Sequence, residues 1–326
     1  MSRAQVVDLV RAGSRFLVTC HRRPDADALG SALGMAAILE SCSKTAVVYC
    51  PDQIPPNLGF LVASATTVDR IDSNDRFDAT FVMDAAAGEL FPVPFPLRAV
   101  SGPVVVIDHH VAHDDAGDVV AREADACATG EIVLRMARDL GVDPVPARAA
   151  LPLYAAIVAD TGGFRYANTT ATTLRVAAAL LDRGVDPWEV AYNLFEGWSP
   201  ARFALLREVL DTMVTELDGR LATLTVSRES MRAHGGDDHM VEGMVNYGRQ
   251  LRGVEIAALL WERDPEGGRP VTRVSLRSRG NVDVAAVAIA LGGGGHRDAA
   301  GAESRADLAA TRELVVRLSA RALGEP

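Results

Sequence analysis

Four short runs, RFLVTC (15–20), TAVVYC (45–50), ATFVMD (79–84) and PVVVID (103–108), are apolar along nearly their whole length instead of alternating apolar with polar residues. A strand with one face in water shows period-two alternation, so these runs describe strands covered on both sides. Between them lie stretches with helical spacing, among them 29–40 and 129–140. This succession predicts an α/β fold, with a parallel sheet and helices on both faces. In such sheets ligands gather at the carboxyl ends of the strands.

Metal-type side chains stand at those ends. RFLVTC runs into His21, with Asp25 and Asp27 close behind; ATFVMD ends at Asp84; PVVVIDHH ends at Asp108, His109 and His110. Asp160, in AAIVAD, follows a stretch that reads as helix rather than strand, and its Thr-Gly-Gly sequel lets the chain turn sharply. Singly, each has an ordinary explanation: an aspartate after a strand is most often a helix cap, and a histidine among apolar residues a core residue. Collected at one sheet edge, the four carboxylates of Asp25, Asp27, Asp84 and Asp160 repel one another, and two divalent ions would set four positive charges against them. Carboxylate and imidazole donors without thiolate favour manganese or magnesium, with cobalt or iron open, over structural zinc.

At 326 residues the chain exceeds the usual size of a single core, so two domains are expected. A net charge of −10 excludes a long basic groove tracking duplex nucleic acid but leaves room for a small anion met by a few arginines; Lys44 is the only lysine. Cys20, Cys42, Cys50 and Cys127 show no C-x-x-C spacing and read as reduced thiols, which places the chain in the cytoplasm. No signal-peptide pattern opens the sequence, and no apolar run reaches the ~18 residues a membrane span requires.

From about 170 to 217 the reading is helical, in three segments with Gly184, Pro187 and the cap Ser199 as boundaries. Their apolar residues at spacings of three and four, Trp188 and Met213 included, are expected to pack. Strands follow in RLATLTV, VEIAALLWER and VTRVSLRSR, with a helix around 240–251. Period two along the last of these puts Arg273, Ser275, Arg277 and Arg279 on one face. ALGGGGHRDAAG comes next; a glycine run is often a linker, yet its amides can also cup an anion, and small residues after it favour close packing.

HRRPDADALGS, FVMDAA, VIDHH and ADTGGFRY resemble, in order and spacing, the four motifs of the DHH phosphoesterase superfamily, and GGGGHRDAAG is similar to the glycine-rich signature of the DHHA1 domain. The resemblance implies a DHH catalytic domain over 1–190, a helical linker over 191–217 and a smaller α/β DHHA1 domain with a mixed sheet over 218–326. It implies that His21 and Asp25 hold one cation, that Asp27, His109 and Asp160 hold the other, and that Asp84 bridges both. The cations would be manganese first, with magnesium or cobalt as substitutes. Asp108 would orient the neighbouring histidines, and His110 would contact the scissile phosphate or assist proton transfer. His113 lies outside the pattern and reads as a surface-loop histidine.

Substrate would meet a clamp made by Arg277, the backbone of Gly293, Gly294 and Gly295, and His296. Arg165 either grips a phosphate or is a surface arginine beside a helix cap at Asn168 or Thr169. The activity implied is hydrolysis of very short oligoribonucleotides, of 3′-phosphoadenosine-5′-phosphate, or of both. Cyclic diadenylate hydrolysis, inorganic pyro- or polyphosphate hydrolysis, and nucleotide-binding regulation without turnover are the alternatives. Partners would be short RNA or small nucleotides, not a membrane or long duplex; a homodimer is left open.

Overall fold

A computed structural model of the chain describes residues 3–324 apart from 64, 86, 111–115, 237, 267–268, 280–281 and 296. It divides into two compact units, Met1–Gly197 and Trp198–Pro326.

The first unit contains the helices α1 (Arg3–Ala12), α2 (Ala26–Ser41), α3 (Gly59–Val62), α4 (Arg98–Ser101), α5 (Thr129–Asp139), α6 (Ala147–Asp160), α7 (Ala171–Leu181) and α8 (Pro187–Phe195). Its strands are β1 (Arg15–Cys20), β2 (Thr45–Tyr49), β3 (Thr67–Val68), β4 (Ala79–Met83), β5 (Val104–Asp108) and β6 (Val119–Arg122). They form one sheet in the order β3-β2-β1-β4-β5-β6, parallel throughout. The apolar runs explain this: β4 and β5 are buried at every residue, and β1 at all but Arg15. The chain builds outward from β1 through β2 to β3, then returns to lay β4 on the other side of β1. That reversal opens a crevice at the carboxyl ends of β1 and β4, where His21 and Asp84 stand.

Helix α2 starts just past this edge, capped by Asp25, and its approach to α6 depends on glycine. A Cβ on Gly30 would lie 2.3 Å from the Pro152 carbonyl oxygen, and one on Gly34 2.4 Å from a Leu153 methyl. Helices α7 and α8 bury Val176, Ala177, Leu180 and Val190 in the same core. Trp188, expected to pack, is 60% exposed and lies against Tyr192 with ring centroids 6.0 Å apart.

The second unit comprises α9 (Pro200–Asp211), β7 (Val214–Glu216), β8 (Leu221–Val226), α10 (Arg228–Ala233), α11 (Val245–Arg249), β9 (Ile256–Glu266), β10 (Arg269–Ser278), α12 (Val284–Ala290), β11 (Gly294–Gly295), β12 (Ala299–Ser304) and α13 (Leu308–Ala322). Its sheet runs β11-β12-β10-β9-β8-β7 and is mixed, with β8 and β9 parallel and the remaining neighbours antiparallel. Helix α9, capped by Ser199 as expected, sends Leu205, Leu206 and Val209 into a core with Leu224, Val226 and Met231. The helix read over 240–251 is a 3-10 turn, Asp238–Val241, followed by the short α11, because Gly243 between them takes φ 78°. Arg273, Ser275 and Arg277 alternate with buried Val274 and Leu276 along β10. Arg279 lies past the end of that strand, its guanidinium donating to the Arg249 carbonyl instead of joining the face.

Candidate functional site

Six side chains expected to hold metal converge at the crevice. Asp84, first residue past β4, is buried and takes φ 58°, a left-handed conformation that non-glycine residues adopt sparingly and that concentrates at functional sites. Its two carboxylate oxygens face different groups. Oδ2 is 3.7 Å from His21 Nε2, which is itself 3.8 Å from Asp25 Oδ1. Oδ1 is 3.7 Å from His109 Nε2, and that nitrogen lies 3.7 Å from Asp27 Oδ2 and 3.5 Å from Asp160 Oδ2. Two triads, His21–Asp25–Asp84 and Asp27–His109–Asp160, each keep their donor atoms within 4.8 Å of one another.

These separations identify the chemistry. N–H···O hydrogen bonds close at about 2.7–3.2 Å, and the distances from His21 Nε2 and His109 Nε2 to the Asp25, Asp27, Asp84 and Asp160 carboxylates, 3.5–3.8 Å, are all longer. On the opposite edge each ring meets a carbonyl: His21 Nδ1 lies 2.9 Å from the Arg22 carbonyl and His109 Nδ1, in a longer hydrogen bond, 3.3 Å from the Ala126 carbonyl. Nδ1 donating to a carbonyl leaves Nε2 as a lone-pair donor aimed among carboxylates, the tautomer that a metal-binding histidine needs. The residues therefore fit two divalent cations of the hard to intermediate kind.

His110 is set up differently. Its Nδ1 lies 2.6 Å from Asp108 Oδ1, which also accepts the His110 backbone N–H at 3.1 Å, while Arg122 Nε reaches Asp108 Oδ2 at 3.4 Å. Asp108 is wholly buried. With Nδ1 engaged there, His110 is placed for proton work rather than ligation. Burial works against its protonation, but Asp84 and Asp108 outweigh it and raise the imidazole to about 11.

The carboxylates divide in the absence of cations. Burial opposes ionisation of Asp84, yet His110, His109 and His21 hold it well below the usual carboxylate range. Burial, reinforced by Asp84, Asp160 and Asp25, pushes Asp27 well above it. Asp160 is pushed up to about 7, burial and Asp84 overcoming the attraction of His109. Protons on Asp27 and Asp160 thus do for the empty protein what positive ions would do.

Sequence reasoning missed the residues that orient this set. Thr129 donates its backbone N–H to Asp27 Oδ2 at 2.7 Å and its hydroxyl to Asp84 Oδ1 at 2.9 Å; Gly130 N–H and Ser31 Oγ donate to Asp27 Oδ1 at 3.0 and 2.9 Å. Ser31, four residues after Asp27 on α2, could have been read from helical spacing; Thr129, 102 residues away, could not. Asn168 Nδ2 ties the carbonyls of Cys127 and Asp160 together at 3.0 and 3.1 Å. Arg165 is exposed, donates to the Gly162 carbonyl at 2.5 Å and lies over the Phe195 ring.

In the second unit, Arg277 pairs with Ala299 on β12, and Gly295 pairs with Ala300 of the same strand, so they share one end of the sheet with β12 between them. Two of the glycines are packing residues: a Cβ on Gly293 would sit 2.1 Å from the Gly301 carbonyl oxygen, and one on Gly295 2.5 Å from Ala300 Cα. Gly294 faces open space. His296 and His113 lie outside the described residues.

Comparison with known proteins agrees with this division. Residues 15–157 match the DHH family, N-terminal domain, and residues 218–320 match the DHHA1 domain. The chain is 34% identical to the bifunctional oligoribonuclease and PAP phosphatase NrnA of Thermus thermophilus over 92% of its length and 86% of that protein's. It is 25% identical to the protein of the same name from Bacillus subtilis, over 86% of this chain and 87% of the other. An exopolyphosphatase-related protein of Bacteroides fragilis superposes with a TM-score of 0.86 at 24% identity, covering 99% of this chain and 95% of that one.

Proposed function

This chain belongs to the DHH family and carries a DHHA1 domain, and on that premise we propose that it is a phosphoesterase working with two divalent cations, manganese foremost, on very short oligoribonucleotides and on 3′-phosphoadenosine-5′-phosphate. The observation that carries the reading is Asp84, whose two oxygens are divided between two imidazole–carboxylate triads. His21 and Asp25 would hold one cation, Asp27, His109 and Asp160 the second, and Asp84 both. Bound there, the cations supply positive charge against phosphoryl oxygens and acidify water.

The chain's own residues do the rest. Arg122 and buried Asp108 fix the His110 ring through Nδ1, and the Asp108 carboxylate favours its protonated form. His110 can therefore place an N–H against a phosphoryl oxygen and return a proton to a departing alkoxide. In the second unit, the Arg277 guanidinium and the backbone at Gly294, which has open space beside it, are the donors suited to a nucleotide phosphate. That domain favours nucleotide substrates over inorganic pyrophosphate. The buried carboxylates, held unstably without cations, favour an enzyme over a nucleotide-binding regulator.

No helix among the described residues is long and apolar enough to cross a membrane, and the four cysteines are free thiols, which suits a reducing cytoplasm. The decisive test compares kcat/KM, with manganese, on pApA, cyclic diadenylate, 3′-phosphoadenosine-5′-phosphate, pyrophosphate and a 24-mer RNA. The proposal expects the dinucleotide and the bisphosphate to lead. Pyrophosphate or cyclic diadenylate ahead of both would replace it.

A further inference from the structure

We propose that Thr129 is a positioning residue for the dinuclear centre: its hydroxyl fixes the plane of the Asp84 carboxylate so that one oxygen serves each cation, while its amide fixes Asp27. The inference rests on the two-cation reading above and concerns a residue that the reading does not include.

Asp84 has to divide its oxygens between two triads, but a carboxylate rotates easily about Cβ–Cγ. Turned through part of a circle, it would chelate one cation and abandon the other. Of its side-chain contacts, the Thr129 hydroxyl at 2.9 Å is the shortest; His110 Nδ1 follows at 3.3 Å but lies closer to Asp108, and the His21 and His109 nitrogens stand at 3.7 Å. Thr129 is wholly buried, so no water competes for that hydroxyl.

A structural role for the hydroxyl in its own helix is absent. Thr129 is the first residue of α5, and the position before it, Ala128, makes no side-chain cap. Asp27 caps α5 from another helix instead, taking the amides of Thr129 and Gly130. Its Oδ1 already accepts from both Ser31 and Gly130, which leaves Oδ2, 3.7 Å from His109 Nε2, as its metal-facing atom. One residue therefore bolts together ligands that the chain delivers from α2 and from the end of β4. It also holds Asp84 in its left-handed backbone conformation by anchoring the side chain.

The test uses Thr129→Val, which keeps the shape and the amide and removes the hydroxyl, and Thr129→Ser, which restores it. Manganese(II) binding to the full chain is followed by calorimetry and by the electron paramagnetic resonance of the spin-coupled pair. Wild type and Thr129→Ser should bind two ions alike, within about threefold. Thr129→Val should lose roughly tenfold to a hundredfold in affinity for one ion, the usual effect of removing a group that orients a ligand, together with the coupled signal. Two tightly bound ions and an unchanged coupled signal in Thr129→Val would overturn the proposal, even if its melting temperature fell. Should that variant not fold, Thr129→Ala against Thr129→Ser makes the same comparison. Wild type that binds no manganese would instead overturn the dinuclear reading itself.

Discussion

At the scale of single residues, Asp84 does two things that a substitution separates. It sets Oδ2 3.7 Å from His21 Nε2 and Oδ1 3.7 Å from His109 Nε2, one atom toward each triad, and it occupies φ 58°. Asparagine tolerates that conformation and keeps the shape, whereas alanine adds a backbone penalty of about 1–2 kcal/mol. Asp84→Asn should thus lower kcat on dinucleotides by more than about a hundredfold and lower the manganese-free melting temperature only through the lost attraction to the imidazoles, while Asp84→Ala should add the backbone penalty and melt lower still. Near wild-type rates in either would remove the bridge. The neighbouring acids make the empty protein sensitive to pH. Asp160 is raised in the folded state to about 7 and burial with its acidic neighbours also raises Asp27, so the native protein holds protons that the unfolded chain has released. Their contribution is complete below the unfolded carboxylate range near 4 and is lost as pH rises through about 7. Asp84 has the opposite sign, but its contribution is lost only below that window. The metal-free melting temperature should fall between pH 5 and 8, and the rise produced by saturating manganese should grow over the same interval. A manganese effect independent of pH would contradict the displacement of protons from these acids.

At the scale of elements, the strands at the metal edge were legible because burial on both faces leaves an unmistakable apolar run, and because His21, Asp84 and His109 follow such runs directly. Pairing partners were not legible: β3 and β6 are only two and four residues long and carry too little pattern to announce themselves. Thr129 escaped for the same reason, since its partners are set by how α5 packs and not by anything in CATGEI. Glycine was half legible. Gly293, Gly294 and Gly295 were read as a phosphate cup, yet Gly293 and Gly295 are required by contact with β12, and of the three only Gly294 has room beside it. That difference is measurable. Gly293→Ala should destabilise by about 1–3 kcal/mol as overpacking does, seen as a lower melting temperature. Gly294→Ala should leave the melting temperature unchanged and raise KM for dinucleotides, if its amide meets the phosphate. Equal thermal losses at both positions would make the whole run structural.

At the scale of the whole molecule, the question is how a chain with a net charge of −10 recruits a polyanion. A long cationic track is not offered by that balance, so on the proposed reading binding rests on a few local contacts. The two-unit division was foreseeable from length and from the change in pattern after the helices. The exact seam was not, because α9, amphipathic like a linker, buries Leu205, Leu206 and Val209 within the second unit, and nothing in its spacing says which core it joins. For single-stranded nucleic acid, each neutralised phosphate contributes about −0.7 to the slope of log affinity against log salt. Recognition of two or three phosphates therefore predicts a slope of roughly −1.4 to −2.1 for log(1/KM), and the same slope for a dinucleotide as for longer RNA. An enzyme that tracks its strand would give a slope that steepens with length, beyond about −4 once six phosphates are engaged. Measuring KM for oligonucleotides of two, five and twenty-four residues at 50 to 400 mM salt, with manganese fixed, separates the two: a length-independent shallow slope is expected, and a steepening one would mean that a cationic path exists along this acidic surface.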